Sequence, residues 1–539
     1  MLRGASLTAL ALLVIPAAAQ AEERYWDANG SNVGAGGDGA WNTGSLFWSE
    51  SSNDVLGPYW TWNNSALDDA IFQGTAGTVT LASPITVHNL TFNVNGYTLT
   101  GDTLTLAGAT PTITVAGTST IESILAGTSG LAKSGTGTIF LTGDNTFSGG
   151  ITLNAGWLRV DDDAGLGALS NIIDVTGNAG LRIDSGDSSN RTVDIANGAT
   201  LSLAGVGAGS ALFTGGGGLN VASGVRLTND ANTYTGSTRL SGVSQGSGAV
   251  YFSSVRNLGE ASSLGAPTTV EDGTIIFSGG TQYTDRIIYT GDGDTSNRNW
   301  EFSGNTQRRF LNQGTGMLQL TGDIATSQST SFEAVSSGFE LLGVISGNVP
   351  SVSFNASGGD IILGGANTYS GTTAIAGGVV SANVLADTGL SSSLGTGPLI
   401  VLNNLGVLRY TGTGDSSDRS WSSDGDTALL NDGSGGLTLS GDLEFLATGP
   451  ADDLTFGGSF AGTNTFSGII SGDGDLSSSG SSIWELTGAN TRTGEITIDG
   501  GTLRAGNASA FGTVTGVTVN AGVLDLNGFD LDAPSLNGS

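Results

Sequence analysis

Residues 131–160 read LAKSGTGTIFLTGDNTFSGGITLNAGWLRV. In the run 138–142, Ile139 and Leu141 alternate with Thr138, Phe140 and Thr142. The turn Gly143-Asp144-Asn145-Thr146-Phe147-Ser148-Gly149-Gly150 follows. A second run then places Ile151 and Leu153 on one face. A third places Leu158 and Val160 on one face after Ala155-Gly156. Period-two alternation broken by Gly and Asn predicts short, half-buried strands. None of these pieces can hide its apolar face alone, so each must lie against a copy of itself.

Copies are present. The core Asn-Thr-x-Ser/Thr-Gly recurs at Asn145, Asn232, Asn367, Asn464 and Asn490, within LTGDNTFSGGITL, LTNDANTYTGSTRL, LGGANTYSGTTAI, FAGTNTFSGII and LTGANTRTGEITI. Self-similarity of this kind signals a repeat architecture. Asn at equivalent turns is expected to form amide ladders between coils. Phe147, Tyr234, Tyr369 and Phe466 beside them predict a matching aromatic column, which Arg492 would break at a less buried edge.

The pattern Gly130-Leu131-x-Lys133-x-Gly135-x-Gly137-x-Ile139-x-Leu141-x-Gly143-x-Asn145-Thr146-Phe147-Ser148-Gly149 resembles the autotransporter-associated β-strand repeat, also called the passenger-associated transport repeat. The continuation Ile151-x-Leu153-x-Ala155-Gly156-x-Leu158-x-Val160 fits as well. The segment 464–505 is a second good match, and the copies at 232 and 367 match mainly at the turn. The resemblance implies an all-β, single-stranded, right-handed parallel β-helix of a secreted or cell-surface passenger, often exported by a C-terminal membrane barrel. It implies a non-enzymatic scaffold that presents loops for adhesion, with repeats that assist export by folding outside. It supplies no catalytic, cofactor-binding or metal-ligating residue, and none is assigned.

Composition agrees with that class. The 539 residues exceed what one ordinary core serves, whereas a solenoid's core grows along one axis. The 90 Gly are set among regularly spaced Leu, Val, Ile and Phe, which argues for ordered, turn-rich β structure. Coils of about 22 residues, a length familiar in such solenoids, would give some two dozen of them. A formal net charge of −31, with Lys133 the sole Lys, argues against nucleic acid or anionic lipid as partner. Cysteine is absent, so disulfides and thiolate chemistry are excluded.

The chain divides into an expected leader at 1–21, a Trp-rich cap at 22–75 and a repeat region at 76–539. The leader reading rests on Arg3, the apolar run Ala5 to Ile15, and Ala19-Gln20-Ala21, with cleavage before Glu22. No later run is long and apolar enough for a membrane helix. No series of amphipathic ten-residue strands closes the sequence, so no membrane barrel is expected within it. Residues 22–75 hold Trp26, Trp41, Trp48, Trp60 and Trp62, with Tyr25 and Tyr59. Clustered aromatics cap an open solenoid end. The alternative is a glycan-binding platform using Trp60 and Trp62.

Remaining candidates are few. His88, the single histidine, lies out of phase with Val87 and is expected to face solvent; alone it makes neither a triad nor a multi-His metal site. Asp187-Ser188-Ser189-Asn190-Arg191, Asp294-Thr295-Ser296-Asn297-Arg298 and Asp415-Ser416-Ser417-Asp418-Arg419 recur at long spacing. They predict a turn in which Arg pairs the Asp, with Trp300 and Trp421 over a coil corner and Val193 in the first copy. Gly291 to Asn297 alternates oxygen donors as calcium loops do, but lacks the Gly and Glu of an EF-hand. Asp161-Asp162-Asp163 and Asp452-Asp453 are the carboxylate pairs that a polysaccharide lyase or glycosidase reading would use. Surface glycans and other cell-surface proteins are the expected partners.

Overall fold

In the computed structural model the described residues are 21–28, 34–52, 58–186, 191–207, 209–222, 224–241, 249–278, 285–305, 307–446 and 453–538. The expected leader, apart from Ala21, lies outside them. The chain is all-β, about 2% helical, and its parallel strands form a β-solenoid of about 21 turns. Among the described residues no helix is long and apolar enough to cross a membrane. Two compact units are present: Met1–Thr152 with Gly156–Leu158 and Ala164–Ser170, and Leu153–Ala155 with Arg159–Asp163 and Asn171–Ser539.

In the first unit each coil visits three ladders in turn. Ala70 pairs in register with Leu90, Leu90 with Ile113, and Ile113 with Lys133. Val79, Leu99, Ile121 and Leu141 form a second column, and Ile85, Leu104 and Leu125 a third. The apolar members of these columns are at most 2% exposed, while their strand neighbours, mostly Thr, face outward. Each buried Leu, Ile or Val contributes about 1.5–3 kcal/mol relative to exposure, and a one-residue slip would turn a whole column out to water.

The same unit begins with an aromatic cluster. Trp26, Trp41, Trp48 and Trp62 are at most 2% exposed, with Trp48 and Trp62 centroids 4.7 Å apart and Trp41 4.9 Å from each. Here the sheet changes character. Tyr25 and Trp26 pair antiparallel with Ser49 and Trp48, and Trp48 pairs antiparallel with Trp60 at the end of the strand order.

The second unit repeats the three-ladder plan. One inward column runs Val250, Ile287, Phe310, Phe332, Phe354, Ile375, Leu402, one residue per coil. Phe332 and Phe354 stack at 5.8 Å and 14°. This is the aromatic stack of the chain's middle, and it does not involve the four residues expected from the repeat. Phe147, Tyr234, Tyr369 and Phe466 are each fully buried. They lie several coils apart, so none reaches the next. The hydroxyls of Tyr234 and Tyr369 instead share hydrogen bonds with Thr238 and Thr373, at 2.8 and 2.9 Å.

Arg492 also departs from expectation. It is fully buried rather than at an exposed edge, and its Nη1 donates to Gly474 O at 2.8 Å. Burial pushes its guanidinium down to about 10.

Candidate functional site

The five repeat asparagines do not ladder on one another. Asn145 accepts from Leu125 N and donates to Gly165 O, both at 2.7 Å. Asn232 accepts from Phe213 N at 2.9 Å and donates to Ser263 O at 3.2 Å. Asn367 accepts from Ile345 N and donates to Ser393 O, both at 2.7 Å. Asn490 does the same between Ile470 N and Ala510 O, and Asn464 between Leu437 N and Ile483 O. Each side chain thus joins the coil before to chain that follows it. A ladder would need an Asn in every coil, and the sequence places most of them several coils apart.

At Asn232 and Asn367 the chain that is held is a loop. After Asn232, residues 254–266 contain Ser262-Ser263-Leu264-Gly265; after Asn367, residues 384–396 contain Ser392-Ser393-Leu394-Gly395. The two loops share their fastenings. Ala266 N donates to Tyr234 O and Thr396 N to Tyr369 O, at 2.9 and 2.8 Å. The hydroxyls of Thr238 and Thr373 donate to Leu264 O and Leu394 O. Gly265 and Gly395 have φ of 76° and 72°, and a Cβ on either would fall 2.6 Å from the Tyr carbonyl. Only Gly fits there.

The other side of each loop is fastened by the long-spaced motif. Arg298 donates to Gly273 O at 2.8 Å and to Leu264 O at 2.7 Å. Arg419 donates to Leu394 O at 2.9 Å, to Leu390 O at 3.1 Å and to Gly395 O. Both side chains are 1% exposed, and desolvation lowers both guanidinium pKa values, that of Arg298 to about 10. The expected Arg–Asp pairing inside the motif is therefore replaced by Arg–carbonyl bonding. Asp294 accepts from Val255 N and Tyr289 OH at 3.0 and 3.1 Å, and Asp415 from Leu385 N and Tyr410 OH at 2.9 and 2.8 Å. An inward-turned Arg finds the loop carbonyls, whereas the half-buried Asp meets the loop's amide edge. Arg191 pairs with Asp163, and its motif's Asp187 lies outside the described residues. Trp300 and Trp421 are inward strand residues, 1% and 2% exposed, rather than corner covers.

The other singled-out residues serve the same structural ends. His88 is half-buried, with Nδ1 2.9 Å from Asp69 Oδ1 and Nε2 3.3 Å from Ala109 O, so it spans neighbouring coils instead of facing open solvent. Lys133 is fully buried and donates to Ser134 O and Gly135 O at 2.7 and 3.0 Å. Burial pushes its ammonium down to about 8. Trp60 is 43% exposed, with the Arg24 guanidinium 5.3 Å from its ring, but Trp62 is buried and donates to Thr86 O at 2.9 Å. The pair cannot form one platform. The oxygens of Asp294 and Asn297 are engaged by protein amides, and no cluster of three metal-ligating side chains occurs among the described residues. Asp161 and Asp162 are exposed, Asp452 lies outside the described residues, and Asp453 Oδ2 accepts from Ser477 at 2.7 Å.

Outside the clamped loop at 254–266 lies an open concavity of about 480 Å³. Arg256, Glu260, Thr295, Met317, Gln319 and Glu340 line it. The repeat motif gave no hint of it. The doubled Ser-Ser-Leu-Gly is the one sequence signal that would have located its loop.

The passenger-associated-transport-repeat family matches residues 131–160, 225–242, 357–382 and 478–505. The chain is 47% identical over 546 residues to "Adhesin BmaC autotransporter" of Brucella suis biovar 1 (strain 1330), an alignment covering 98% of this chain and 16% of that relative. The chain thus spans about a sixth of the relative's length. No solved structure matches. The chain carries passenger-associated transport repeats in four places, wound into a parallel β-solenoid that is similar to one stretch of an autotransporter adhesin.

Proposed function

We propose that this chain is a non-enzymatic, passenger-type adhesive scaffold displayed outside the cell. The observation that carries the reading is similarity to an adhesin along 98% of the chain. The geometry supports it, because the motif polar groups are spent on fastening coils while loops and outer strand positions remain for contact. In this reading 1–21 is an export leader, and the tryptophan cluster within 22–75 closes the first coil against water and further strand pairing. Coils that stack outside the cell hold the exported chain there, so the repeats assist secretion.

Beads coated with the purified chain should adhere to host-type cell layers, and soluble chain should compete. Beads that bind no better than uncoated ones would end the adhesive reading. Release of reducing sugar or unsaturated product from glycans by the chain would end the non-enzymatic one.

A further inference from the structure

The two clamped loops provide an internal comparison. Their fastenings agree position by position: Val255 N and Leu385 N donate to Asp294 and Asp415, while Ser296 and Ser417 donate to Arg256 O and Ala386 O. Asn297 N and Asp418 N donate to Asn257 and Asp387 side chains. The neighbouring outward column reads Thr295, Gln319, Glu340 in the first copy and Ser416, Thr438, Thr465 in the second. On the loop, Arg256 and Glu260 stand where the second copy has Ala386 and Leu390. One backbone thus carries two outer surfaces. The first is rimmed by long hydrogen-bonding side chains around a concavity; the second is short-chained.

Folding does not explain that difference, since the same inner bonds form in both. The geometry points to the first concavity as a binding site for a neutral, hydroxyl-rich glycan, deepening and resting on the adhesive reading above. Gln319 and Glu340 occupy adjacent strands and are joined by a 2.6 Å hydrogen bond. Strands stand about 4.8 Å apart, so a pyranose ring spans two of them. Arg256, 43% exposed and 3.7 Å from Asp294, offers donors. Glu260 and Glu340 offer acceptors that sugar hydroxyls satisfy in pairs. The exposed Met317 gives the apolar C–H face of a ring a surface to lie on. Three carboxylates around one guanidinium leave the site negative, which selects against sialic and uronic acids.

The test is an array of neutral and acidic oligosaccharides probed with the full chain. Neutral glycans should bind, and the double variant Gln319→Ala with Glu340→Ala should lose binding about tenfold or more, as loss of charge-assisted hydrogen bonds requires. Thr438→Ala, the second-copy counterpart of the change at Gln319, should leave binding unchanged. A blank array, preference for acidic glycans, or full binding by the double variant would overturn the proposal. If the double variant fails to fold, Glu260→Gln is read in its place: a severalfold loss supports the site, and no loss overturns it. Cell adhesion by coated beads, measured in parallel, separates the two claims. Adhesion with a blank array removes the site alone, and absence of both removes the adhesive reading with it.

Discussion

The loop unit running from Asn232 to Trp300 and the one running from Asn367 to Trp421 share their polar fastenings and differ in the side chains set around them. Both place Asn on one side of a Ser-Ser-Leu-Gly loop and Arg on the other. Both close a Tyr–Asp contact five residues apart. In the following strand, Asn312 and Asn431 fill equivalent places, accepting from Gly314 N and Gly433 N. Four residues earlier the copies diverge. The first has Arg308 paired with Asp285, 0% and 3% exposed; the second has Thr427, bonded to Ser423 at 2.7 Å. One coil further on, Ser329 bonds Ser351 at 3.2 Å in the first copy, where the second sets Asp453 in register with Asp475. What holds a loop is repeated, while what fills the space between is chosen locally.

The largest difference should appear at Asp285. Asp285→Ala leaves Arg308 buried without its carboxylate and should cost about 3–5 kcal/mol, whereas Thr427→Val in the second copy should cost about 1 kcal/mol. Denaturant unfolding of the two variants checks this, and equal losses would erase the contrast. Replacing the pair together, Asp285→Leu with Arg308→Met, should recover most of the loss, because apolar isosteres carry no desolvation cost.

The shared bonds predict equality. Asn232→Ala and Asn367→Ala each orphan one buried N–H and one buried carbonyl, so each should cost about 2–4 kcal/mol, with the two values close to one another. A large cost in one copy alone would show that the loops are held differently.

A smaller effect separates the copies by pH. Burial, then Asp475, Asp426 and Asp499, raises the Asp453 carboxyl to about 6 against the lowering bond from Ser477. The folded state therefore keeps a proton that the unfolded chain releases near pH 4. The stability this confers is present below about pH 4 and is lost as pH rises through 6. Asp453→Asn should flatten the stability profile between pH 4 and 6, while Ser329→Ala should leave its slope unchanged.

Much of this was legible in residues 131–160. Alternating Ile139 and Leu141 showed which face is buried, and five copies of Asn-Thr-x-Ser/Thr-Gly pointed to a stacked architecture, because short repeated strands can hide their faces against copies of themselves. The partners of the polar groups were not legible. Sequence spacing shows that Arg298 follows Asp294 by four residues, but not that its guanidinium turns inward to carbonyls of a loop more than thirty residues earlier. His88 misled for a related reason: in a parallel stack, the coils above and below supply carbonyls and carboxylates beside a strand residue. The concavity beside Arg256 was invisible because its lining comes from three separate strands and a loop.

Both Ser-Ser-Leu-Gly loops lack regular strand structure, yet each is pinned by Asn on one side and Arg on the other. Hydrogen exchange of the intact chain reads this pinning amide by amide. Ala266 N and Thr396 N should exchange as slowly as neighbouring ladder amides, and Arg298→Met should speed exchange at 254–266 while leaving 384–396 protected. Fast exchange of both loops in the unaltered chain would contradict it.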